Sequence, residues 1–138
     1  MREILFRGKR VDNGAWVEGL PFSSIYGGFS NGAICAIRQT VEKYGDIHDV
    51  VIETVGQYTG LTDKNGKRIF EGDIIMPTVL SNCPPCEVMF DVAEGQFVVR
   101  DACGDYHGAL ANFGRIFDNR YTVIGNKWDD PELLEVEE

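Results

Sequence analysis

The feature that most constrains this chain is the run Val55-Gly56-Gln57-Tyr58-Thr59-Gly60-Leu61-Thr62-Asp63-Lys64-Asn65-Gly66-Lys67-Arg68-Ile69-Phe70-Glu71-Gly72-Asp73-Ile74-Ile75. Four glycines and two turn clusters interrupt short apolar pieces, none long enough for an amphipathic helix. Asn65-Gly66 supplies positions that accept left-handed backbone, so Asp63–Gly66 is expected to reverse the chain. Glu71-Gly72-Asp73 makes a second turn, from which Ile74-Ile75-Met76 leaves as a strand until Pro77.

The same grammar extends outward. Ile4-Leu5-Phe6 and Trp16-Val17 flank Asn13-Gly14 as a hairpin, and Pro21 is expected to end the return strand. Ile34–Val41, Ile47–Thr54 and Val55–Thr59 read as strands. Glu87–Phe90 and Gln96–Arg100 form a second hairpin around Ala93-Glu94-Gly95, and Tyr121–Ile124 is a final strand. Gly108–Phe113 suits one or two helical turns. Pro131–Glu135 suits a short helix with Asp130 as its cap and Pro131 in its first turn. Residues 22–33, with three glycines and three serines, read as a loop around Tyr26 and Phe29. The expected fold is mainly β. It is a single compact domain over residues 1–138 with a strongly bent, barrel-like antiparallel sheet and short helical additions.

At 138 residues with 43% hydrophobic residues, the chain can bury an ordinary core, so disulfides and metals are optional supports. The start, Met1 to Arg10, lacks the apolar stretch of a signal peptide, and no run reaches the roughly 20 apolar residues of a membrane span. A cytoplasmic protein with reduced cysteines and no membrane partner is expected. The net charge is −9. Asp129, Asp130, Glu132, Glu135, Glu137 and Glu138 hold two thirds of it, whereas the first ten residues set four bases against Glu3. These ends read as solvated segments, and the acidic balance makes duplex DNA a poor partner.

Three stretches together resemble the YopX family of phage and prophage proteins. They are Arg2–Gly8 with Trp16-Val17-Glu18-Gly19, the run Val55–Ile75, and Val123-Ile124-Gly125-Asn126 with Asp130-Pro131-Glu132-Leu133-Leu134. The resemblance implies a mostly β, strongly bent fold and a phage or prophage setting in a bacterial host cell. It carries no catalytic residues across. Residues 22–33 and 81–107 depart from the family pattern, so features particular to this member are expected there.

The segment 81–107 holds the best chemical constellation. Cys83-Pro84-Pro85-Cys86 with Cys103 and His107 offers three thiolates and an imidazole, a set with tetrahedral zinc chemistry. The alternative is a hairpin connection, with Cys103 filling a small site. A redox pair is disfavoured, because two prolines and a following strand replace the helix N-terminus that activates a thiol. No nucleophile elbow frames Cys103 with His107 or Cys35 with His48, and both histidines read as surface or loop residues. Asp63-x-Asn65 starts like a calcium loop but fails at Lys67 and Arg68. No phosphate loop is present.

Binding is the better class. Tyr26, Phe29, Tyr58 and Tyr106 lie beside glycines or charges, where aromatics anchor interfaces. The expected function is that of a non-enzymatic accessory protein acting through protein–protein contacts, as a homo-oligomer and with a host or phage protein. The alternative is a small barrel bound to single-stranded nucleic acid, zinc-stapled or not.

Overall fold

The computed structural model describes residues 3–23, 35–38, 47–77, 84–103, 106–112 and 120–135. Among these residues ten strands follow in order: β1 (Phe6–Arg10), β2 (Trp16–Ser23), β3 (Cys35–Arg38), β4 (Ile47–Thr62), β5 (Arg68–Phe70), β6 (Asp73–Pro77), β7 (Cys86–Asp91), β8 (Gln96–Asp101), β9 (Tyr106–Ala109) and β10 (Tyr121–Asn126). Helix is confined to one turn at 110–112 and a 3-10 turn, Pro131–Leu134, among the described residues. The chain divides into two compact units, 1–58 and 59–138.

In the first unit every pairing is antiparallel. β1 pairs with β2, β2 with β3, and β3 with β4, and β4 also pairs with β1. The sheet is therefore bent strongly enough to bring its fourth strand back to its first. Val17, Ile37 and Val50 make the buried cluster inside this bend, with Val55 packed against it. Gly8 lets the strands approach: a Cβ there would lie 3.0 Å from both Ile37 Cδ1 and Val50 Cβ.

Two expectations change here. β2 runs through Pro21, which pairs with Ile37. The β1–β2 ladder already ends at Phe6 and Gly19, so the missing proline N–H leaves no gap on that side. The stretches 47–54 and 55–59 are one strand, not two. The register against β1 jumps from Lys9–Val51 to Arg7–Gly56, which places extra residues on β4 opposite Gly8.

Thr54 holds that bulge together. Its hydroxyl accepts the Lys9 N–H at 2.9 Å and donates to the Val51 carbonyl at 2.6 Å, and the residue is buried. The side chain supplies what the ladder lacks. Thr54→Val keeps the shape and removes both bonds, so it is expected to cost about 1–3 kcal/mol. Thr54→Ser should retain most of the stability, and urea unfolding of the two variants checks this.

In the second unit, β5 pairs with the end of β4, and a five-stranded antiparallel sheet runs in the order β10-β6-β7-β8-β9. Paired residues share a face. The row Ile75–Cys86–Asp101 and the pair Val88–Val99 therefore set Ile75, Cys86, Val88 and Val99 on one side. With Ile69, Leu110 and Tyr121 they form the main core, and Phe97 and Val123 pack against it. The strongly bent, mainly β reading holds, as two sheets rather than one closed barrel. Asp130 does not cap the final turn with its side chain; its carboxylate instead accepts the Asn126 N–H at 3.2 Å.

Candidate functional site

The turn of the opening run is organised by one carboxylate. Asp63 follows β4 directly and is 6% exposed. Its Oδ1 accepts the N–H groups of Asn65 at 2.8 Å and Lys67 at 2.9 Å, and its Oδ2 accepts that of Val123 at 3.0 Å. Burial raises this carboxyl, but the three backbone N–H groups and the Lys67 charge outweigh it and hold Asp63 below its ordinary range. Nearby, burial and the Asp63 charge push the Tyr121 phenol upward. Asp63 thus clips its own turn and ties it to β10. These oxygens serve the backbone, as the hairpin reading expects, and not a calcium ion.

The second turn follows the same logic. Asp73 is 1% exposed and its Oδ2 accepts the Phe70 N–H at 2.8 Å. Gly72 donates to Val88 O at 2.7 Å and accepts from Lys127 N at 3.0 Å. Both turns of the run are therefore structural junctions.

The cysteine set is only partly described. Cys83 lies outside the described residues. Cys86 is fully buried in the main core, and its thiol donates to Pro84 O at 3.2 Å. Cys103 is an exposed free thiol in the turn after β8, where its N–H meets Asp101 Oδ1 at 2.9 Å. His107 belongs to β9, which starts opposite Arg100 of β8. Both histidines sit in strands rather than loops, His48 in β4 and His107 in β9, because each falls within a run that continues a ladder. Among the described residues no three His, Cys, Asp or Glu side chains converge as metal ligands.

Of the aromatics, Tyr26 and Phe29 lie outside the described residues. Tyr58 is half-buried in β4, its N–H donating to Leu5 O at 2.8 Å. Tyr106 opens β9.

The more informative surface was not singled out in the sequence. It is the tip of the β7–β8 hairpin, where Phe90 is 41% and Val92 85% exposed. Phe90 and Phe97 are cross-strand partners, their rings edge to face with centroids 5.1 Å apart. The turn beyond them is tightened by Asp91, whose Oδ1 accepts from Ala93 N at 3.0 Å and Glu94 N at 3.3 Å. A hollow of 220 Å³ beside the tip is lined by Met89, Phe90, Asp91, Val92, Val98 and Arg100. The available signal was Val92 itself, an apolar residue where hairpin turns are ordinarily polar.

Among the described acids, Glu87 is shifted upward. Burial raises the Glu87 carboxyl, Lys127 at 4.0 Å opposes this, and Glu71 adds to it. Lys127 Nζ also lies 5.0 Å from the centroid of the Trp128 ring. Glu87 is not among the residues that line the hollow at the hairpin tip.

Comparison with known proteins agrees with this architecture. No curated protein matches the chain. The crystal structure of protein EF1440 from Enterococcus faecalis is similar in fold, with a TM-score of 0.57 and 24% sequence identity over 98% of this chain and 100% of that one. A family model described as YopX protein matches residues 5–135, a span that takes in the β1–β2 hairpin, the Asp63 and Gly72 turns and the final strand with its 3-10 turn. With nearly its whole length matched, the chain belongs to the YopX family.

Proposed function

We propose that this chain is a non-enzymatic accessory protein of a phage or prophage that works by protein–protein contact, first of all with a second copy of itself. The observation that carries the reading is the β7–β8 tip. Val92 stands out from the surface next to a hollow that its own neighbours line. A knob and a hollow in one patch suit a two-fold contact, in which the same surface serves both copies. Asp91 and Arg100 line that hollow together, so a two-fold arrangement can set the acid of each copy against the base of the other. Phe90 and Phe97 provide aromatic anchors, the residue type that dominates interface energetics. A host or phage protein using the same tip is the other outcome of the test.

Val92→Asp is expected to weaken self-association at least tenfold, equivalent to about 1.4 kcal/mol. Its thermal midpoint as a monomer should hardly change, because the residue buries almost nothing in its own chain. Light scattering over a concentration series reads this. A wild-type chain that stays monomeric throughout would exclude the second copy as the partner of the tip.

The competing reading, association with single-stranded nucleic acid, has one observation behind it. Trp16 has the Arg7 guanidinium 4.7 Å and the Lys9 amino group 6.0 Å from its ring centroid, and aromatics beside cations build stacking platforms. The net charge of −9 opposes it. Oligonucleotide binding that weakens as salt rises would decide for this reading.

A further inference from the structure

We infer that the Asp63 turn and the Asp130 turn together guard the outer edge of β10 against strand addition by a second copy of this chain. Among the described residues β10 ends the row β10-β6-β7-β8-β9, with β6 on its inner side. An edge strand presents the N–H and C=O of alternate residues outward, ready to pair with another chain. On β10 those positions are Tyr121, Val123 and, past the irregularity at Ile124, Asn126.

Each carries a partner from a turn. Tyr121 O accepts Lys64 N at 3.1 Å. Val123 N donates to Asp63 Oδ2 at 3.0 Å, across 60 residues of chain. Asn126 N donates to Asp130 Oδ2 at 3.2 Å, and Asn126 O accepts Asp130 N at 2.9 Å. Two of the three stretches that mark the family therefore meet on one strand edge. The need for such a guard is local. Tyr121-Thr122-Val123-Ile124 is strongly strand-forming and uncharged, and Ile124 is 39% exposed, the composition of a segment that adds to other strands. The irregularity at Ile124 assists by bending the edge away from a straight partner.

The test uses the full chain with Asp63→Ala and Asp130→Ala, singly and together. Alanine removes both carboxylate oxygens, so neither the Val123 N–H nor the Asn126 N–H keeps its acceptor. In the double variant the Val123 and Asn126 amides are expected to exchange with deuterium at least tenfold faster. A larger species should then appear in sedimentation and grow with concentration, with those amides protected again inside it. Val92→Asp in the same background separates this association from contact through the hairpin tip. If Asp63→Ala fails to fold, Asp130→Ala alone carries the test at Asn126. Fast-exchanging β10 amides without any new association would overturn the inference, and so would unchanged exchange.

Discussion

Replacing Asp63 with alanine is expected to destabilise the protein by about 3 kcal/mol, since it removes three charge-assisted hydrogen bonds of which the Val123 bond is the least accessible to water. Against a typical total of roughly 5–15 kcal/mol this is a large fraction. The amides of Asn65 and Lys67 belong to exposed residues, so water replaces much of what they lose. Val123 packs on the main core, and its N–H is left as a partly buried, unsatisfied donor in the alanine variant. The loss should depend on pH with a defined sign. The three backbone N–H groups and the Lys67 charge hold the folded carboxyl below its ordinary range, so its contribution is fully present above about pH 4, the ordinary carboxylate range, and is lost as pH falls through the lowered folded value. Urea midpoints of wild type and Asp63→Ala should therefore differ most at neutral pH and draw together in acid. A gap that does not narrow at pH 3 would show that the carboxylate charge is not the source of the stabilisation.

Much of this fold was legible because its turns use residues with distinct backbone chemistry. Asn13-Gly14, Asn65-Gly66 and Glu71-Gly72-Asp73 announced reversals, and the structure places turns at all three. Pro21 misled, because a proline tells which N–H is missing but not whether a neighbouring strand needs it. The division of β4 also misled. Ile47–Thr54 and Val55–Thr59 read as separate strands, whereas the Thr54 hydroxyl bridges the bulge between them and lets one strand continue. That bridge is a tertiary contact with Lys9, 45 residues away, and local pattern does not contain it. The same limit applied to the site. Asp63 was read as a turn residue, correctly, but its bond to Val123 depends on β10 arriving beside it. Phe90 and Phe97 were assigned to strands, but their stacking and exposure depend on where the core ends along the hairpin. Cys86 was placed among metal-ligand candidates by spacing to Cys83. Its register opposite Ile75 and Asp101 puts it on the core-facing side, which spacing does not reveal.

Gly72→Ala is expected to be the other severe substitution, at about 3–4 kcal/mol, from two separable sources. The residue has φ +92°, where an L side chain costs about 1–2 kcal/mol. A Cβ there would also run into the Cζ3 and Cη2 atoms of Trp128. The backbone cannot retreat easily, because Gly72 N is bonded to Val88 O and Gly72 O to Lys127 N. The Trp128 backbone N–H donates to Asn126 Oδ1 at 3.1 Å, which fixes where the side chain leaves the chain, and Lys127 Nζ lies 5.0 Å from the ring centroid. A double-mutant cycle separates the two sources. In a Trp128→Ala background the clash is absent and only the φ strain remains, so Gly72→Ala should then cost about 1–2 kcal/mol. The coupling of roughly 2 kcal/mol between the sites would measure the ring contact. An equal cost in both backgrounds would assign the whole effect to the backbone. Gly72 would then be required by the turn alone, and Trp128 would be a passenger on it.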